Sequence, residues 1–173
     1  TMVDPARDPK YFTYISVCEP NLQPVIGDAR LTFAREPDGI YDLIIVDAYS
    51  SDAIPIHLAT EEAMEIYKQK LAPQGAVVMH VSNRHLELAS VIVGIADANE
   101  MKSWVYSEDS GRDNEYIFST SVVVSARQEA DVGSLASSDK WAETEAEEHQ
   151  RVWTDDYSNV LGAVWRRLRD GEQ

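Results

Sequence analysis

A chain of 173 residues is long enough for one domain with a sizeable core. Thirty acidic against fifteen basic residues give a net charge of −15, which opposes nucleic-acid binding because that depends on Lys and Arg neutralising phosphates. No stretch approaches the roughly 20 apolar residues of a membrane-spanning helix, and no signal-peptide pattern opens the chain. The acidic surface either attracts cationic small molecules or simply keeps the protein soluble, and charge alone leaves both open. Cys18 is the only cysteine, so no intrachain disulfide can form, and a reduced cytoplasm is the default expectation.

In chain order, Gln23 to Gly27 is short, β-branched and predicted as a strand, and Ala29 to Glu36 as a short helix before a Pro37-Asp38-Gly39 turn. Asp42 to Asp47 is an apolar run with acids at both ends, and Ala76 to Ser82 is a second such run. Runs without polar alternation predict strands covered on both faces, as in parallel sheets. Between them Thr60 caps a predicted helix whose first turn carries Glu61 and Glu62, and Ala72-Pro73-Gln74-Gly75 ends it. Leu86 to Glu100 is predicted as a core helix, apolar nearly all round.

Ser103 to Ser107 and Phe118 to Ala126 are predicted strands joined by a connection too short and polar for a parallel crossover, so they pair antiparallel. Residues 128–150 turn small and acidic and read as a surface segment with a short helical turn at most. Val160, Leu161, Val164, Trp165 and Leu168 then form a helical stripe. Trp141, Trp153 and Trp165 are expected to pack this tail onto the sheet. The rhythm of strand and helix predicts an α/β, doubly wound, mostly parallel sheet with an antiparallel last strand pair. The expected division is 1–127 for the α/β domain and 128–173 for the acidic segment and C-terminal helix packed on it.

Ligands of doubly wound sheets bind beyond the carboxyl ends of the strands. That singles out Asp28, Asp47, Asp52, Ser82, Asn83 and Arg84. A strand-end carboxylate such as Asp47 can accept a proton from an amine or hydroxyl, or can merely cap a turn, and spacing leaves both open. His80, His85 and Glu87 match no standard metal-ligand spacing, so a structural or surface role is expected and no metal. Ser50 and Ser51 lack a nucleophile elbow, and Cys18 lacks an evident histidine partner arrangement.

Gly27-Asp28-Ala29, followed by the segment from Tyr41 through Asp47 and Asp52 to Pro55, resembles the core of spermidine synthases. It is most similar to bacterial spermidine synthase-like proteins, some fused to membrane domains. Leu71 to Gly75, His80 to Arg84 and Trp153 to Asn159 share the resemblance. It implies a methyltransferase-type (Rossmann-like) fold using S-adenosylmethionine or its decarboxylated form, with a polyamine-like amine as acceptor and a homodimer as the assembly. By position, Asp28 with Ala29 would contact the adenine, Asp47 would be the base, and Asp52 the second acid holding the amine.

Two departures qualify this. The eight glycines include no G-x-G pair, although methyltransferase-type folds approach the cofactor through such a turn. The acid that holds the ribose hydroxyls has Asp4 as its nearest counterpart, within a stretch from Val3 to Pro9 that resembles the segment just after the second strand of the fold. The expectation is therefore an N-terminally truncated chain whose first βα unit is missing. Two functions are expected from these residues: a transferase domain impaired in donor binding, or a non-catalytic domain for binding or assembly, such as the soluble part of a larger membrane protein.

Overall fold

The computed structural model describes residues 3–48, 55–83, 85–108 and 119–170. The chain divides into two compact units, 1–35 and 36–173. In the first, three short helices follow one another: α1 (Val3–Arg7), α2 (Tyr14–Cys18) and α3 (Ala29–Phe33). The expected strand over Gln23 to Gly27 does not form; the segment is irregular, and Val25 and Ile26 are exposed. Its β-branched residues have no neighbouring strand to pair with, and β-propensity without a partner does not make a strand.

The second unit opens at the predicted turn, where Gly39 has φ of 71°, a left-handed conformation that favours glycine. Then come β1 (Tyr41–Val46), a short 3₁₀ turn (Ile56–Leu58), α4 (Glu61–Lys70) and β2 (Leu71–His80). Thr60 caps α4 as expected, its Oγ1 accepting from the Ala63 N–H. At the other end Arg127 donates to the carbonyls of Lys68 and Ala72, satisfying backbone acceptors at the helix terminus. The Ala72 to Gly75 segment stops the helix but enters β2 rather than forming a turn. Register shifts between Tyr41 and Leu43, and Gly75 abuts the Tyr41 carbonyl there.

Next follow α5 (Ala89–Ala98), β3 (Lys102–Glu108), β4 (Thr120–Ala126), a 3₁₀ segment (Glu129–Leu135), β5 (Ala142–Thr144) and α6 (Val160–Asp170). As its apolar composition predicts, α5 buries Val91 through Ala96. It packs on β3 and β4 and beside α4. On the other face Trp104, Ala76, Val124 and Ala126 form a cluster against Val132, Leu135 and Trp141. Trp153 is buried as expected, whereas Trp165, with Leu161 and Leu168, is exposed: that stripe of α6 is not covered within the described residues.

Among the described residues the sheet has five strands in the order β1-β2-β4-β3-β5. The strands β1 and β2 pair parallel, and the last pair, β3 with β4, is antiparallel as predicted. The sheet is nevertheless mixed rather than mostly parallel, because β4 inserts antiparallel between β2 and β3 and β5 adds antiparallel to β3. A return strand can close beside its partner without a crossover helix, which explains the order. The expectation of two-sided cover also fails at β1, where Ile44 and Val46 are buried but Leu43 and Ile45 are exposed.

Candidate functional site

Strand register assembles the site. Along the parallel pair β1–β2, Ile44 faces Val77, Ile45 faces Val78 and Val46 faces Met79. One step further the chain reaches Asp47 on one strand and His80 on the other. Alternation of side chains puts both on the face of Ile45 and Val78, opposite the buried Ile44, Val46, Val77 and Met79. Neighbouring strands lie about 4.8 Å apart, so side chains at the same level meet. Here His80 Nδ1 lies 2.9 Å from Asp47 Oδ1.

The polar row continues across the sheet. Ser82, two residues beyond His80 and so on the same face, has its Oγ 2.6 Å from His80 Nε2. The Ser121 N–H of β4 donates to that Oγ at 2.8 Å, and Ser121 O lies 3.4 Å from it. The two segments are tied at this level by the Val81 N–H donating to Ser121 O at 2.9 Å. Beyond it, Ser121 Oγ and Ser107 Oγ, paired in the β3–β4 register, are 3.0 Å apart. The row thus runs from Asp47 through His80 to Ser82, which is fastened to the Ser121 backbone of β4; the Ser121–Ser107 hydroxyl pair belongs to the opposite face of the sheet.

Exposure grades along it. The Asp47 side chain is 62% exposed and that of His80 36%, while Ser82 and Ser121 are half-buried. The carboxylate therefore stands at the solvent end of a row whose inner end is anchored on strand backbone. An exposed contact of this kind contributes little to stability, and its geometric effect is to hold one carboxylate oxygen in place. At the same end of β3, Tyr106 donates to Glu108, and that hydrogen bond, followed by desolvation and the carboxylate's charge, raises the phenol above its usual range.

The other residues singled out by sequence take different places. Asp28 is the N-cap of α3, its exposed carboxylate accepting from the Leu31 N–H at 2.9 Å, with Ala29 the first helical residue. Asp4 lies exposed in the first turn of α1. These belong to the first compact unit, and Asp47 to the second. Asp52 and Arg84 lie outside the described residues. Asn83 Oδ1 accepts from the N–H groups of His85 and Leu86, shaping the turn after β2. Sequence reasoning placed His80 as structural or at the surface and singled out Ser82 as a strand-end position without assigning it a task. The signal that finds them is positional: two apolar runs of parallel strands, each followed by a polar side chain at the same level.

No protein-family model matches the sequence, and no curated protein matches it. Among solved structures the chain is similar to a probable spermidine synthase from Corynebacterium glutamicum, with TM-score 0.57 and 16% identity over 82% of this chain and 57% of that one. A spermidine synthase from Thermotoga maritima aligns with TM-score 0.45 and 13% identity over 99% of this chain and 57% of that one. MNMC2 from Aquifex aeolicus aligns with TM-score 0.43 and 18% identity over 85% of this chain and 44% of that one. The chain thus spans less than two thirds of the length of each. The C. glutamicum likeness establishes a shared α/β fold.

Proposed function

We propose that the chain is a spermidine synthase-like transferase domain of the methyltransferase-fold class, acting on an S-adenosyl donor and a polyamine-like amine, with Asp47 as the base. The observation that supports this reading is the Asp47 carboxylate itself. It is exposed beyond the end of a parallel strand, the position where ligands of such sheets bind, and one oxygen is already held by His80. When bound, the donor supplies a sulfonium whose C–S bond breaks as the N–C bond to the amine forms, the electron pair staying on sulfur. The proton released from the amine nitrogen passes to Asp47, and its negative charge attracts the cationic acceptor beforehand.

Asp28 and Ala29 at the start of α3 fit an adenine contact: the carboxylate is exposed and fixed by the Leu31 N–H. Asp4 is assigned to the ribose and Asp52 to the amine by position in the sequence. The absence of a G-x-G turn favours weak donor binding and supports, as a second reading, a non-catalytic domain. Calorimetric titration with S-adenosylmethionine, its decarboxylated form and methylthioadenosine separates them. The transferase reading expects binding in the millimolar to high micromolar range. A dissociation constant of about 1 μM or below, near −8 kcal/mol, would refute the role given to the missing turn, and no binding at all would favour the second reading.

A further inference from the structure

We infer that His80, locked by Ser82 in the Nδ1–H form, is the positioning residue that aims Asp47: it occupies Oδ1 and leaves Oδ2 to the acceptor amine. The directions of the bonds from Ser121 N–H through Ser82 and His80 to Asp47 follow from donor and acceptor chemistry, the Ser82 hydroxyl having two acceptors within reach, His80 Nε2 at 2.6 Å and Ser121 O at 3.4 Å. A backbone N–H only donates, so Ser82 Oγ accepts from Ser121. The hydroxyl hydrogen of Ser82 is then available to His80 Nε2 at 2.6 Å, which makes Nε2 the acceptor of the neutral ring and places its hydrogen on Nδ1. An ionised carboxylate only accepts, so Nδ1–H donates to Asp47 Oδ1 at 2.9 Å. Among the described residues Asp47 makes no other hydrogen bond, and its side chain is 62% exposed.

The same heavy atoms also hold a protonated ring. Nε2–H then donates to Ser82 Oγ, and the Ser82 hydroxyl turns toward Ser121 O at 3.4 Å. Asp47 keeps its bond in both states, so its aim does not change when the imidazole gains a proton. The order Asp47, His80, Ser82 is also that of a hydrolytic triad. Ser82 Oγ, however, is seated against the β4 backbone through Ser121, which suits a hydroxyl that fixes a ring rather than one that attacks a substrate.

The inference rests on the reading of Asp47 as base, and its test is read without turnover. Long-range ¹H–¹⁵N correlation spectra report the tautomer of each imidazole at a pH of about 8, where histidines are largely neutral. His80→Gln identifies the His80 signals among the four histidines. The expected result is protonated Nδ1 and bare Nε2 for His80, shifting toward the ordinary Nε2–H form in Ser82→Ala and in Asp47→Ala. An Nε2–H ring in the unaltered protein, no response to Ser82→Ala, or labelling of Ser82 by a fluorophosphonate would overturn the inference.

In turnover, His80→Ala should lower kcat by about ten- to a hundredfold with donor KM unchanged, and His80→Gln, which can still donate to Asp47, should restore most of it. Equal losses in the two variants would overturn the positioning role. Failure of the base reading looks different: Asp47→Asn would then leave turnover intact whatever tautomer the spectra show.

Discussion

Replacing Thr60 by Val tests how the crossover between β1 and β2 is held, because Thr60 is 1% exposed and fastens the start of α4. Its Oγ1 accepts from the Ala63 N–H at 3.3 Å and donates to Asp155 Oδ1 at 2.9 Å. Nearby, the Asp155 N–H donates to Glu62 and the Glu61 N–H to the Trp153 carbonyl, so the cap is one of several ties to this segment. Valine keeps the size and branching of threonine, so the change chiefly removes the hydroxyl's hydrogen bonds. Loss of an N-cap costs about 1 kcal/mol, and a hydrogen bond to a charged group about 1.5–3 kcal/mol. Asp155 is exposed and solvent screens the second contribution, so the expected loss is about 2 kcal/mol. With a urea dependence of about 2 kcal/mol/M, the midpoint should fall by about 1 M at unchanged slope, followed by far-UV circular dichroism and tryptophan fluorescence. A shift below about 0.3 M at the same slope would refute this reasoning.

Gly75→Ala should cost about 1–3 kcal/mol by overpacking, since a Cβ there would lie 2.7 Å from the Tyr41 carbonyl oxygen, and it should also disturb the His80 signals; an unchanged melting curve would contradict the tight approach of β1 to β2. Tyr41 and Tyr106 should ionise above the ordinary phenol value, Tyr41 through desolvation and then Glu36, Tyr106 first through its hydrogen bond to Glu108. Both pKa values are raised in the folded state, so their stabilising contribution is present below the ordinary phenol value of about 10 and is lost as pH rises through the folded value. Tyrosinate absorbance should show a late phase that shrinks in Tyr41→Phe and Tyr106→Phe, and a single transition at the ordinary value would contradict it.

The sequence made the α4–β2–α5 portion readable because its signals are local and consistent: Thr60 followed by two glutamates, an apolar run to His80, and an apolar helix from Ala89. Strand order was less accessible, since the place of β4 between β2 and β3 depends on which edge a returning strand finds, and no residue pattern within β4 encodes that. Val25 and Ile26 misled because propensity was read without a partner strand. Trp165 misled because helical periodicity marks an apolar face without telling what covers it. At the site, Asp47 was legible as the acid closing an apolar run. Ser82 was legible only as a strand-end position and His80 not at all, because their joining to Asp47 arises from register between strands more than thirty residues apart in the chain.

The most direct test compares Asp47→Asn with Asp28→Asn at millimolar donor, measuring transfer to putrescine by mass spectrometry and donor affinity by calorimetry. Asparagine keeps the size of Asp47 and can still accept from His80 Nδ1–H, but it cannot take up a proton at neutral pH. Turnover of Asp47→Asn should fall by about two to four orders of magnitude while donor affinity stays within about threefold. Asp28→Asn should retain helix stability, because asparagine caps as well as aspartate does, and should instead weaken donor binding. Undiminished transfer by Asp47→Asn would contradict the assignment of Asp47 as the base and leave it a turn-capping carboxylate.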